Sequence, residues 1–419
     1  MGQAQDALGK PDQALASMTE ALQIQKEIGI KKEVGDTLLS MGVVYYERDQ
    51  YDKALEAFKG SLQIQRETGD KKDESLCLNN IGFAYLNKGD NDNALTYLQQ
   101  ALELREKLNV PGDIADSLDG LGQAYRATGQ YDQALASFLK AMELSRKAGN
   151  TRGEAEESHQ MGLVFGYQGR LGAAVSALQD AVKPIQGGNE RGPDIAQLWN
   201  DLGNALAKAG RGAEAGKPLE EAQGMAQDLK NDGLMSQVLN SQGNLKLYAG
   251  DYKGAKDLYQ QALRLASKGT ARDNILLSKL NLNKVAIAEG HSQSVINELR
   301  ALSQDAGRLG IKHLALESSV EMAAAMVNAK DYVHARQELE RELDIGERLG
   351  ARLQMARIHY LLGTVMRQTN TDGAAGQYAQ SLKLLDDIKK EAGAERAMDR
   401  VDLKTIYEDA THWYQSAKS

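Results

Sequence analysis

Histidines, cysteines and clustered carboxylates are the side chains that most often catalyse reactions or hold metals, and here they are few and scattered. The chain of 419 residues has six histidines and one cysteine. No two histidines stand three or four residues apart, the spacing that places two imidazoles on one face of a helix. Cys77 alone forms neither an internal disulfide nor a cysteine-only zinc or iron–sulfur site. These residues predict no metal centre and no general base.

Two short segments look like ligand loops but lack residues that such loops need. Asp90–Asn93 is rich in side-chain oxygens, yet the glycine and the distal glutamate of a calcium loop are missing. Gly210, Gly212 and Gly216 follow no predicted strand, and Pro218 occupies the place where a phosphate-binding loop has serine or threonine. We therefore expect a protein that is not an enzyme and that uses no cofactor.

Asparagine, in contrast, recurs at one position of a pattern that repeats about every 40 residues. Residues 199–204 read WNDLGN and residues 239–244 read LNSQGN, so an asparagine precedes a glycine by three residues and another follows it directly. Along the repeats, the first of these positions holds Leu39, Asn79, Asp119, His159, Asn200, Asn240, Asn281, Val320 and Tyr360, so four of nine are asparagine; the second holds Asn204 and Asn244. Asparagine is a poor helix former, so its recurrence calls for a reason.

A row of carboxamides suits the recognition of an extended peptide. Each carboxamide offers a donor and an acceptor to the peptide backbone, and each hydrogen bond contributes about 0.5–1.5 kcal/mol. Arg126 and Lys208 are basic residues that would meet acidic groups of such a peptide, or else are ordinary solvated side chains. The alternative for the asparagines is that they bond to the neighbouring repeat and make the stack rigid.

Small residues set the register in which these asparagines occur. The anchor series is Gly2, Gly42, Gly82, Gly122, Gly162, Gly203, Gly243, Lys284, Ala323 and Gly363, with steps of 39 to 41 residues. A second small-residue series runs from Ala14 and Ala54 to Ala335 and Ala374 at the same period. Two independent series at one period identify an internal repeat.

Each repeat is predicted to be a pair of helices separated by a turn. Apolar residues follow helical spacing on both sides of a third series, which runs from Gly9 and Asp49 to Lys330 and Asn370. Most members of this series are Gly, Asn or Asp, which tolerate the left-handed backbone that ends a helix. A further series between units, including Gly29, predicts the same conformation there.

The repeat resembles the tetratricopeptide repeat, in the longer 40-residue subclass of kinesin light chains and bacterial signalling regulators. The residues that carry the resemblance are Leu78, Gly82 and Tyr85 in the first helix and Ala54 and Phe58 in the second. The usual helix-final proline is missing, which suggests longer helices. The resemblance implies a concave groove lined by the first helix of each repeat, in which asparagines at comparable positions contact peptides.

The fold class is therefore predicted to be all-α, a right-handed superhelical solenoid of about ten helix-turn-helix units. Residues 1–394 form the array and 395–419 a capping helix. The first repeat is incomplete, which favours a fragment of a longer protein. Residues 183–225 are rich in glycine and proline, so they form either a hinge or one degenerate repeat.

The composition limits the partners. The formal charge of −8 argues against nucleic acid as the main ligand, because phosphates require a basic face. No apolar stretch approaches the ~20 residues of a membrane span. We expect a cytoplasmic location and a protein or peptide partner, with self-association through the N-terminal end as a further option.

The leading hypothesis for function is a non-enzymatic scaffold that binds an extended peptide or a partner protein in its groove. The alternative is the sensory or regulatory portion of a larger bacterial signalling protein. In that case a kinase, cyclase, ATPase or transcription-regulator domain would lie upstream of Met1.

Overall fold

The computed structural model describes residues 11–185, 191–269 and 271–417. Within these ranges the regular structure is helical, with two short 3₁₀ turns and no strand. The α-helices are α1 Pro11–Ile28, α2 Lys31–Glu47, α3 Tyr51–Thr68, α4 Lys71–Asn87, α5 Asn91–Leu108, α6 Pro111–Ala127, α7 Tyr131–Lys147, α8 Thr151–Tyr167, α9 Leu171–Val182, α10 Pro193–Lys208, α11 Gly212–Asp228, α12 Asp232–Tyr248, α13 Tyr252–Ala266, α14 Arg272–Ala288, α15 Ser292–Arg308, α16 Lys312–Asn328, α17 Tyr332–Leu349, α18 Arg352–Gln368, α19 Ala374–Lys389 and α20 Val401–Ser416. This confirms the predicted all-α solenoid of helix pairs.

The even-numbered helices are the first members of each pair, here called A helices, and the odd-numbered ones are B helices. At the glycine anchors, the A helix packs closely on its B helix. A Cβ atom on Gly82 would lie 2.5 Å from Cγ of Leu98, and one on Gly203 would lie 2.6 Å from Cγ of Leu219. No side chain fits at such a distance, so the anchor is small because the two backbones approach closely.

The turns have the backbone that the sequence predicts. Each described member of the intra-repeat series has a positive φ, from Asn370 at 50° to Gly290 at 87°. Lys330, the one residue of an unexpected type, also adopts it, with a φ of 65°. Gly2 and Gly9 belong to residues outside the described part of the chain.

The helix bounds correct the register in the eighth repeat. α12 and α14 both have 17 residues and begin 40 residues apart, at Asp232 and Arg272. The residue of α14 equivalent to Gly243 is therefore Asn283, and the assignment of Lys284 to the anchor series is wrong. Lys284 aligns with Asn244 instead, and Asn281 does not align with Asn240. Asn283 is not a small residue, so the spacing of small residues does not identify the anchor position of this repeat.

The described residues form two compact units, which divide between Glu157 and Ser158 inside α8. The core of the first unit consists of apolar side chains from consecutive A and B helices. Phe58, Leu62 and Ile81 belong to one buried cluster, and Leu98 and Leu121 belong to the next. Each repeat thus buries its apolar face against its neighbours, as solenoids do.

The second unit closes on itself. Leu171 and Leu206 near its beginning share one apolar core with Leu385, Ile388 and Leu403 near its end. Polar contacts accompany this core, since Nη1 of Arg400 donates a hydrogen bond to the carbonyl of Lys208 at 3.0 Å, across 192 residues of sequence. We call this contact the seam. One side of the seam consists of residues 168–172 and 208–210, and the other side consists of residues 352–353 and 391–400.

The glycine- and proline-rich region of the second unit keeps most of its helices. α9 does end early, at Val182, and a 3₁₀ turn follows at Lys183–Ile185. The next B helix, α11, continues unbroken through Pro218. Residues 186–190 lie outside the described part, and a hinge at 183–225 stays a prediction.

The anchor contact predicts opposite effects for two glycine-to-alanine changes in adjacent helices. Gly203→Ala should destabilise the fold by about 1–3 kcal/mol, because the new methyl group overlaps the buried Leu219. Gly224→Ala, in α11, would place its Cβ more than 4 Å from every described atom outside the adjacent backbone of its own helix, and should stabilise the fold by about 0.5–1 kcal/mol. Urea denaturation followed by circular dichroism measures both. Equal effects of the two changes would contradict the close approach at the anchor.

Candidate functional site

The second unit contains a cavity of about 200 Å³ lined by both apolar and polar side chains, here called the inner cavity. Its walls come from the A helices α8, α10, α12, α14 and α16 and from the start of α9. The polar and aromatic residues that line it are Tyr167, Asp201, Asn204, Lys208, Asn240, Ser241, Asn244, Tyr248, Asn281, Lys284, His313 and Glu317. Four of the asparagines predicted as ligand contacts, together with Lys208, are therefore gathered on one surface.

Two of these asparagines bond to neighbouring repeats as well as facing the cavity. Nδ2 of Asn240 donates to Oγ of Ser278 at 2.9 Å, and Nδ2 of Asn281 donates to Oδ1 of Asn240 at 3.2 Å. Both side chains are about 1% exposed. Their first role is to satisfy polar atoms between A helices, which is the structural alternative that the sequence leaves open.

A second chain of hydrogen bonds ends at the cavity surface. The hydroxyl of Tyr259 donates to Oδ1 of Asn244 at 2.8 Å, and Nδ2 of Asn244 donates to Oδ1 of Asn204 at 3.0 Å. Asn204 is half-buried, and its Nδ2 has no hydrogen-bond partner among the described residues. The chain therefore fixes the orientation of Asn204 and leaves one donor for a ligand.

The lysines of the cavity differ in their partners. Lys284 forms a salt bridge with Glu317, and although burial opposes ionisation, this ammonium lowers the pKa of Glu317 to about 2. Lys208 also contributes to that shift, but it has no carboxylate within ion-pair distance in the described parts of the chain. Lys208 is thus the cation available to an acidic group in the cavity.

Aromatic rings and a histidine complete the surroundings. The rings of Tyr167 and His313 stack with centroids 4.0 Å apart. His159 lies next to the cavity wall, with Nε2 at 2.8 Å from Oδ2 of Asp201. Asn200 does not line the cavity; its Nδ2 donates to Oδ1 of Asp201 at 3.3 Å and its buried Oδ1 has no partner among the described residues. His159 and Asn200 therefore act on the cavity through Asp201.

In the first unit the predicted site residues lie in different surroundings. Oδ1 of Asn79 accepts a hydrogen bond from the hydroxyl of Ser117, which accepts one from the buried guanidinium of Arg105 at 2.9 Å. The oxygen of Asn79 is thus tied to the next repeat. A ligand role for Asn79 stays a prediction.

Asp119 belongs to an acidic group of this unit. Burial, and then the charge of Glu156, raises the pKa of Asp119, and burial, and then the charge of Asp119, raises the pKa of Glu157. Asp116 adds to both shifts, while Arg126 lowers the pKa of Asp119 without forming a salt bridge within the described residues. At pH values between the unfolded and the folded pKa, these carboxyl groups are protonated in the folded chain and ionised in the unfolded chain.

Sequence reasoning missed several residues of the inner cavity. Tyr167, Tyr248, His313 and Glu317 occur singly, and no series pointed to them. In the corrected register Lys284 aligns with Asn204 and Asn244, and a lysine at a position otherwise held by asparagine indicates a charged contact. Within the described residues no group of three or more histidine, cysteine or carboxylate side chains is placed to hold a metal ion.

The fold and the inner cavity define a repeat scaffold, and comparison with known families agrees. The tetratricopeptide repeat model matches residues 33–107, 113–183 and 194–268, just over half of the chain. The chain belongs to the tetratricopeptide repeat family. The search of curated proteins returns no match.

Solved structures with the same fold include complexes. NprR in complex with its cognate peptide NprX is 14% identical, with a TM-score of 0.55, over 81% of this chain and 98% of NprR. A Rap protein complexed with Competence and Sporulation Factor is 9% identical, with a TM-score of 0.54, over 81% of this chain and 99% of the Rap chain. At these identities the likeness is one of fold. None of the described helices is long and apolar enough to cross a membrane.

The acidic group of the first unit predicts a pH dependence of stability. Because Asp119 and Glu157 have raised pKa values, the folded chain keeps protons above about pH 4 that the unfolded chain loses. The free energy of unfolding should therefore fall as the pH rises above this value. In the double variant Asp119→Asn with Glu157→Gln, the free energy of unfolding should fall much less as the pH rises. Urea denaturation at a series of pH values between roughly 5 and 9, where both carboxyl groups lose their protons in the folded chain, measures this. Glu103→Gln, at an exposed position of α5, is the control and should follow the wild-type curve. A double variant with an undiminished slope would contradict this assignment.

Proposed function

We propose that the chain is a non-enzymatic scaffold that binds a peptide, or an extended segment of a partner protein, at the inner cavity of the second unit. The observation that carries the proposal is the pairing of Asn204 and Lys208 on one helix, α10. These two residues offer the cavity an unused amide donor and an unpaired ammonium. The other polar groups of the wall are largely bonded to one another.

The chemistry of the wall describes the ligand. Lys208 favours a carboxylate, either an acidic side chain or a chain terminus, because an ammonium in a partly dehydrated site attracts an anion more strongly than in water. Asn204 suits a backbone carbonyl through its free Nδ2. The stacked rings of Tyr167 and His313 give the rest of the ligand an apolar surface.

The size of the cavity limits what it holds. A volume of about 200 Å³ admits one or two side chains, less than the ~300–1,000 Å³ of sites for drug-sized ligands. The cavity therefore serves as the anchoring pocket for part of a peptide. A peptide bound in the NprR structure of the same fold supports this type of ligand.

Binding should depend on Asn204 and Lys208 and not on equally polar residues elsewhere. The variant Asn204→Ala with Lys208→Ala should lose about 10-fold or more in affinity, because it removes one hydrogen bond and one charged contact of about 1.5–3 kcal/mol. The matched control is Asn297→Ala with Lys383→Ala, at exposed positions of the B helices α15 and α19.

The measurement has two stages. Tagged wild-type protein, the variant and the control are used to capture ligands from a lysate, and mass spectrometry identifies what the variant alone fails to retain. Titration calorimetry with that ligand, as a synthetic peptide, then gives the affinities. A ligand retained equally by all three proteins would contradict the proposal.

A further inference from the structure

The seam joins two segments that are far apart in sequence, and its polar contacts are few. The backbone N–H of Gly172 donates to Oε2 of Glu391 at 3.0 Å, and the backbone N–H of Arg352 donates to the carbonyl of Gln168 at 3.0 Å. Arg352 also forms a salt bridge with Glu391. Together with the bond from Arg400 to Lys208, these contacts fasten the end of the unit to its beginning.

Glycines make this approach feasible. A Cβ atom on Gly169 would lie 2.8 Å from the backbone nitrogen of Leu353, and one on Gly172 would overlap the carbonyl oxygen of Ala392. Gly172 lies in a helix with ordinary backbone angles, so here the need for glycine is one of space alone. A side chain at this position would act as a wedge in the seam.

The seam lies directly behind one wall of the inner cavity: residues 391–400 do not line the cavity, but Arg400 contacts two residues that do. The guanidinium of Arg400 lies 3.7 Å from the ring centroid of Tyr248, and it bonds to the backbone of Lys208. Tyr248 and Lys208 both line the cavity, and so does Leu171, which belongs to the apolar core of the seam. Separation of the seam would therefore release Lys208 and Tyr248, two residues of the cavity wall on α10 and α12, from the contacts behind them.

We propose that the seam is the entrance to the inner cavity: residues 391–400 separate from α9 and α10 to admit a ligand and close behind it. No covalent link crosses the seam, so opening needs only a small change of pitch shared among the repeats between its two sides. The apolar core favours the closed state. The identity of the entering ligand rests on the proposed function. The opening itself is a property of the chain and is testable without a ligand.

The test uses a thiol on the cavity wall. Ser241 lines the cavity and is 4% exposed, so Ser241→Cys places a thiol there with little change of volume. The native Cys77 serves as the internal reference, since burial raises the pKa of its thiol to about 11 and it reacts mainly after unfolding. The probe is Ellman's reagent, whose disulfide the thiolate attacks with release of thionitrobenzoate.

The Ser241→Cys protein should react slowly at the introduced thiol. The added wedge Gly172→Ala should raise the rate at that thiol by about 10-fold or more, equal to about 1.4 kcal/mol of easier opening. Gly224→Ala, which has open space around its Cβ, is the matched control and should leave the rate unchanged. Arg400→Ala provides a second route to the same result, because it removes the contacts to Lys208 and Tyr248 without adding bulk.

Two outcomes would overturn the proposal. Equal rates at the introduced thiol in all four proteins would mean that the cavity is reached by another path. A rate at the introduced thiol that always equals the rate at Cys77 would mean that the cavity opens only by global unfolding. Neither outcome bears on the affinity of the Asn204 and Lys208 variant, so failure of the seam and failure of the binding site are separately visible.

Discussion

The structure depends on one steric constraint, the close approach of an A helix to its B helix at a residue with little or no side chain, which holds in the described helix pairs except the one that has Asn283 there. Where that residue is Gly82 or Gly203, a leucine of the B helix occupies the space that a Cβ would need. The constraint recurs about every 40 residues and fixes the angle between helices, so the same small rotation is added at every repeat. In the second unit the rotations bring its last helices onto its first, which produces the seam and the inner cavity.

Contact between neighbouring A helices determines what the polar residues around the inner cavity do. Buried amides and charges need partners, so Asn240 and Asn281 bond to each other and Lys284 pairs with Glu317. These bonds hold adjacent A helices in register and leave few polar atoms unused. Asn204 and Lys208 are exceptions, and they lie together. The candidate site is therefore small, because it consists of the polar groups that the contacts between repeats leave without partners.

Features that depend on residues close in sequence were predictable, and contacts between residues far apart in sequence were not. The period, the helix pairs and the positive φ at positions such as Asp49 and Gly290 follow from residue types and spacing. The register failed at Lys284, because Asn283 replaces a glycine and the series carried no information there. The role of Asn240 was open, since an amide suits a ligand and a neighbouring repeat equally well. Arg400 had no indication at all, because the contact with Lys208 depends on rotation accumulated over several repeats.

Both proposals require that the ligand enters the second unit and contacts α10 from inside. A crystal structure of the complex with the first captured peptide tests this most directly. We expect peptide density in the inner cavity, with a carboxylate near Nζ of Lys208 and a carbonyl near Nδ2 of Asn204. Peptide bound on the outer B helices, with the cavity unchanged, would contradict it.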